Sequence, residues 1–238
     1  MSSSQARSVP GDEKQARRRI GALVGAFLIG VALLSAMAST VAAKEPVGVY
    51  VNGKESAEES KQPKLEAESY PVVLSGTEDT AHAFGTKLGQ WSCAVAEFDH
   101  GQSAATAVQV LWMSYYQCTP PLGVMKAINP NGCEYVLHVA NAGPPYQGSL
   151  DMSCPAGKSY ELVMASGVNT CTIAIPSQTG LKGVNLTNVG SGSARGVQVA
   201  FEVTGMSYSL LGPKLLCQAG SYTNGTYTGT MTLRGSDE

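Results

Sequence analysis

From residue 69 onward the sequence predicts an all-β body, an antiparallel sandwich or a barrel-like fold. Three observations predict it. Short runs rich in β-branched and aromatic residues recur along the body. Clusters of Gly, Pro, Asn and Ser separate them, and no run of ten or more residues shows capped helical spacing. The composition agrees. With 27 Gly in 238 residues, 43 % hydrophobic and 14 % charged residues, the chain is too apolar for disorder and too Gly-rich for a helical bundle. A net charge of −2 provides no basic surface to neutralise phosphates, which excludes nucleic acid from the expected partners.

Taken in chain order, the first element is a targeting segment over residues 1–43. Lys14 and the triplet Arg17, Arg18 and Arg19 precede 24 uncharged residues, 20–43, that end in small side chains at Ala36-Met37-Ala38 and Val41-Ala42-Ala43. A basic start, an apolar middle and a small-residue end are the marks of a secretory signal peptide. The same 24 residues as a helix would rise ~36 Å, enough to cross a hydrocarbon core of ~30 Å as an uncleaved anchor. Cleavage is the favoured reading. In either case the positive-inside rule puts the remainder outside the cytoplasm, secreted or held at the cell surface by residues 20–43. Residues 44–68 follow, with four Lys and six Glu among 25 residues, and read as a charged linker with little to bury apart from a short strand over 47–51.

The body, 69–238, carries only seven Lys/Arg and ten Asp/Glu. Strands are expected at 92–98, 108–116, 134–139, 160–164, 171–175, 197–204, 206–210 and 226–233, with turns at Asp99-His100-Gly101, Asn129-Pro130-Asn131-Gly132, Gly143-Pro144-Pro145, Pro155-Ala156-Gly157, Gly190-Ser191-Gly192-Ser193 and Asn224-Gly225. A division into two sub-domains near residue 156 is one way to partition it.

An oxidising compartment makes disulfides the expected state of Cys93, Cys118, Cys133, Cys154, Cys171 and Cys217. No Cys-x-x-Cys pair occurs and three scattered histidines offer no zinc spacing, so no metal or other cofactor is implied. Six cysteines allow 15 connectivities. One pair follows from register. If 133–139 runs antiparallel to 148–154, Cys133 faces Cys154, Tyr135 faces Met152 and Leu137 faces Leu150, all on one side of the sheet. Glu134, His138, Asp151 and Ser153 then share the other side with Val136. Cys93 with Cys118 is the natural bridge around the preceding hairpin, and Cys171 with Cys217 follows by elimination.

The order Tyr70-Pro71, His82-Ala83-Phe84, Gly89, Cys93, Ala96, Phe98, Cys118, Gly132-Cys133-Glu134-Tyr135, Cys154-Pro155-Ala156-Gly157-Lys158, Cys171, Gln178 and Tyr227-Thr228-Gly229 resembles a group of uncharacterised secreted, six-cysteine, β-rich proteins of high-GC Gram-positive bacteria. The resemblance covers roughly residues 69–235. It implies a secreted, disulfide-bonded β protein and no activity, so no catalytic residue carries over.

Individual motifs favour plain readings. Gly205-Met206-Ser207-Tyr208-Ser209 lacks the last Gly of a nucleophile elbow, no Ser-x-x-Lys is present, and the 190–196 Gly-rich run has the wrong spacing for a phosphate loop. Glu97, Asp99 and His100 are candidates for Ca²⁺ or for a carboxylate-based glycosidase, and Glu134 and Asp151 are a second carboxylate pair; a solvated sheet face is the plainer reading of both. His82 and His138 read as hydrogen-bonded or surface side chains rather than catalytic ones. Trp91, Trp112, Tyr115 and Tyr116 are the candidates for stacking on a ligand, although apolar residues on both sides of the Trp112 strand favour a core role. The expectation is an envelope-associated structural or binding protein without a catalytic residue, whose partner is a cell-wall glycan or a surface protein. A carboxylate-dependent glycan hydrolase and an aromatic carbohydrate-binding module are the alternatives.

Overall fold

The structure, a computed structural model, describes residues 49–50, 65–66, 72–102, 106–140, 146–191 and 194–237. The expected signal or anchor, most of the linker and the Gly143-Pro144-Pro145 turn lie outside the described residues. Two two-residue strands, β1 (Val49–Tyr50) and β2 (Leu65–Glu66), pair in parallel. The others are β3 (Val72–Thr86), β4 (Gly89–Gln102), β5 (Val108–Thr119), β6 (Val124–Asn129), β7 (Glu134–Val139), β8 (Tyr146–Ser153), β9 (Tyr160–Ser166), β10 (Asn169–Ile175), β11 (Gln178–Val189), β12 (Gly196–Leu211) and β13 (Gly220–Asp237), with a short helix α1 (Lys214–Cys217) before β13.

The body is all-β and its eleven strands form one antiparallel sheet, ordered β11-β8-β7-β5-β4-β3-β13-β12-β10-β9-β6. A further pairing, β11 with β12, returns that sheet to its own start. The first eight strands of the order therefore close into a ring, as the strands of a barrel do, and β12 has a third neighbour in β10. The last three extend from the far end of β12. Strands from before and after residue 156 interleave in the ring: β13 lies between β3 and β12, and β11 between β8 and β12.

β12 serves both parts because it is 16 residues long. Its 196–201 stretch pairs with β11, its 209–211 end pairs with β10, and β13 runs along its other edge. Between those two stretches a side chain replaces a strand. Ser207 donates its N–H to Gln178 Oε1 at 2.8 Å, and Gln178 Nε2 donates to the Ser207 carbonyl at 3.1 Å. The expected strands at 197–204 and 206–210 are thus one strand. Gly205, at φ 77°, takes up the register shift between them in a conformation other residues disfavour.

Asp99-His100-Gly101, expected as a turn, lies inside β4 and pairs with Ser75, Leu74 and Val73. Cross-strand pairing with a 15-residue β3 overrides the local turn preference there. Asn224-Gly225 likewise falls within β13, at a register irregularity opposite Met206. The β7–β8 hairpin has the expected register, with Tyr135 opposite Met152 and Leu137 opposite Leu150. The disulfides are Cys93–Cys118, Cys133–Cys154 and Cys171–Cys217, the three expected pairs. The first joins register partners on β4 and β5, and the third ties α1 to β10.

Period-two alternation sets what fills the interior. β7 buries every second residue, Tyr135, Leu137 and Val139, and β13 does the same with Tyr227, Gly229, Met231 and Leu233. The outward side of β13 is Thr226, Thr228, Thr230, Thr232 and Arg234. An apolar interior and a hydroxyl-rich exterior is the reverse of the pattern of a membrane-spanning barrel.

Candidate functional site

Two places concentrate chemistry: a hydrogen-bonded chain inside the ring and a strip on its outer face.

The interior chain starts at His82. β3 carries one extra residue between Thr77 and His82, which shifts its register against β4, and His82 points inward with Leu74 and Phe84. The imidazole lies against Gly229, where a Cβ would come within 2.7 Å of the ring; only glycine leaves that space. Aromatic rings surround it, with centroids at 5.2 Å for Phe98, 5.6 Å for Tyr227, 5.9 Å for Phe201 and 6.1 Å for Tyr115. Nε2 donates to the Thr230 carbonyl at 3.3 Å, so in the neutral ring Nδ1 accepts from Tyr227 Oη at 2.7 Å. Tyr227 has then spent its proton, and Tyr115 donates to it at 2.7 Å.

Burial holds this chain uncharged. It lowers the His82 pKa to about 4, outweighing the Thr230 hydrogen bond and the charges of Glu78 and Asp79, and it raises those of Tyr115, Tyr135, Tyr160 and Tyr227. A protonated His82 would need both nitrogens to donate, and Tyr227 would have to reverse. The arrangement is suited to a fixed, neutral core network. His82 is therefore the hydrogen-bonded histidine the sequence suggested.

The outer strip crosses β13, β3, β4, β5 and β7. Register aligns Arg234, Ser75, Asp99 and Trp112 in one row, and Thr232, Thr77, Glu97 and Ser114 in the next. A groove of about 500 Å³ runs along β13, β3 and β4, lined by the carboxylates of Asp79, Glu97 and Asp99 and by Ser75, Thr77 and Thr232. Arg234 also lines it, with its guanidinium donating to the Ala194 carbonyl at 2.7 Å. Asp79 accepts from Thr232 Oγ1 at 2.8 Å and from Gln198 Nε2 at 3.1 Å. Glu97 and Asp99 make no hydrogen bond or ion pair among the described residues.

Beside the groove, Trp112 is 57 % and Tyr116 50 % exposed on one side of β5. Four residues of strand place their Cα atoms ~14 Å apart. Trp112 Nε1 donates to Glu134 Oε1 at 2.8 Å.

Of the four stacking candidates, β5 separates two by its alternation: Tyr115 points inward and Tyr116 outward. Trp91 and Tyr115 are buried and unavailable to a ligand, which corrects their candidacy. Trp112 is the opposite correction, to the preference for a core role. Among the described residues no second sheet covers the outer side of β5, and Trp112 and Tyr116 stay exposed. Among the described residues no cluster of three His, Cys, Asp or Glu side chains is placed to hold a metal ion. The His100 side chain lies outside the described residues.

Glu134 and Asp151 share the outer side of the hairpin, but neither is simply solvated. Glu134 holds Trp112, while Asp151 bonds His138 Nε2 at 2.8 Å and accepts the Gly180 N–H at 2.7 Å. The sequence missed Asp79 and Thr77 because β3 was not recognised as a strand, and Thr232, on the expected strand 226–233, because its neighbour β3 was not in view. It missed Tyr227 although Tyr227-Thr228-Gly229-Thr230-Met231-Thr232-Leu233 alternates cleanly. Comparison with known protein families, with curated proteins and with solved structures finds no match.

Proposed function

We propose that this is an extracytoplasmic, envelope-associated binding protein that recognises a glycan with the outer strip of its sheet. One observation carries the reading: Trp112 and Tyr116 are half-exposed or more on one side of a rigid strand, beside a groove of carboxylates and hydroxyls. A sugar ring has an apolar C–H face and a hydroxylated edge. Stacking on an indole or phenol satisfies the first, and Ser75, Thr77, Thr232 and the carboxylates satisfy the second. Two rings carried by Cα atoms ~14 Å apart along one strand suit an extended, repeating ligand better than a compact one.

Three disulfides fit an oxidising compartment, and residues 20–43 supply the route there as a cleaved signal or a retained anchor. The reading is of binding without turnover, since Glu134 and Asp151 are already engaged by Trp112, His138 and Gly180.

The test is a glycan array probed with the full-length protein and with Trp112→Ala/Tyr116→Ala. The parent is expected to bind a polysaccharide class that the variant loses while melting as the parent does. Binding that survives the double substitution removes the strip from the reading, and release of new reducing ends from any polysaccharide removes the non-catalytic reading.

A further inference from the structure

We propose that the strip selects an amino sugar whose nitrogen is unsubstituted, with its ammonium seated on the Trp112 ring beside Asp99. This rests on the glycan reading above and names the class of sugar. Trp112 lies between two carboxylates. Asp99 is its register partner on β4, and Glu134 on β7 accepts its indole N–H at 2.8 Å. That hydrogen bond restrains the ring and places an anion at its edge, while the ring's face attracts cations through its quadrupole.

Glu97 lies two residues along β4 on the same outer side, and neither it nor Asp99 is neutralised by a partner among the described residues. The guanidinium lining the groove, Arg234, donates to the Ala194 carbonyl and keeps its charge, but the carboxylates of Asp79, Glu97 and Asp99 outnumber it. The strip's potential therefore favours a cation and disfavours a uronic acid. Ser75, Thr77 and Thr232 extend from Asp99 toward β13 and offer hydrogen bonds to a hydroxylated ligand. Beyond its ammonium a lysine side chain offers only an alkyl stem, whereas a sugar ring offers further hydroxyls, which favours an amino sugar over a basic peptide.

Titration calorimetry of the full-length protein at mildly acidic pH compares a glucosamine oligomer, its N-acetylated counterpart and an oligolysine. The glucosamine oligomer is expected to bind about tenfold more tightly than the acetylated one. Glu97→Gln/Asp99→Asn should abolish that advantage and bring the two sugar oligomers to the same affinity, and Trp112→Ala should weaken both sugars. Both variants alter exposed side chains, and their unchanged circular dichroism and melting are read alongside. Equal affinity for the two sugar oligomers overturns the amine preference and leaves the glycan reading intact. Failure of both to bind overturns the two together. Oligolysine binding as tightly as the glucosamine oligomer, or a preference that survives loss of the carboxylates, places the selectivity elsewhere and overturns the inference.

Discussion

Acid should weaken this protein through one buried side chain. His82 is fully buried, and burial lowers its pKa from 6.5 to about 4. The unfolded chain therefore takes up a proton near pH 6.5 that the folded chain refuses until about pH 4. Stability from the neutral imidazole is complete above pH 6.5, declines as the pH falls through that window, and is gone below about pH 4, where both states are protonated. The gap corresponds to roughly 3 kcal/mol, a large part of the margin of an ordinary domain. His82→Phe keeps a ring against Phe98, Phe201 and Tyr227 and removes the titration, at a cost of about 1–2 kcal/mol for the lost Tyr227 bond near neutral pH. Urea unfolding of both proteins, disulfides intact, over pH 7.5 to 4 isolates the effect. Other titrating groups cancel in the difference. The parent should lose roughly 3 kcal/mol more than the variant across that range. Parallel curves for the two proteins would refute the argument, as would a His82 imidazole that titrates near 6.5 by NMR in the folded state.

Two further outcomes are expected. Gln178→Ala strips the Ser207 N–H and carbonyl of their partners and should destabilise by about 1–3 kcal/mol, with faster amide exchange at Ser207 than at Val199. Cys133→Ser/Cys154→Ser removes a bridge of sequence separation 21 and should cost about 3 kcal/mol in chemical denaturation while leaving the circular dichroism of the folded state unchanged.

Where local pattern and chain constraint coincide, the fold was legible. Residues 133–139 and 148–154 alternate cleanly and end in cysteines that meet only in one register, so strand pairing, facing and bridge came out together. β3 was hidden because Gly76, Glu78 and Asp79 interrupt its alternation. Closure was not legible at all. It depends on β12 dividing one edge between β11 and β10, a long-range choice that no window of sequence contains. The strip was half legible. Trp112 and Tyr116 share a parity, as do Gln109, Leu111, Met113 and Tyr115, but both sets are apolar enough to fill a core. Deciding between them requires knowing that no second sheet covers the outside of β5.

Closing eight strands into a ring also decides where this molecule is open to unwanted company. Strands inside the ring are each paired on both sides over at least part of their length, and the sheet terminates at β6. A bare terminal strand is a template for a strand from another chain. Here it is only six residues long and is followed by Pro130, which cannot donate to a ladder. Its register slips between Met125 and Ala127, leaving Lys126 as the unpaired extra residue, exposed and charged in the middle of the strand. A second copy attempting to add there would meet a kinked backbone and have to desolvate an ammonium. The terminal strand thus resists addition of a further strand at the open end of the sheet, in a chain whose described residues are about four-fifths strand.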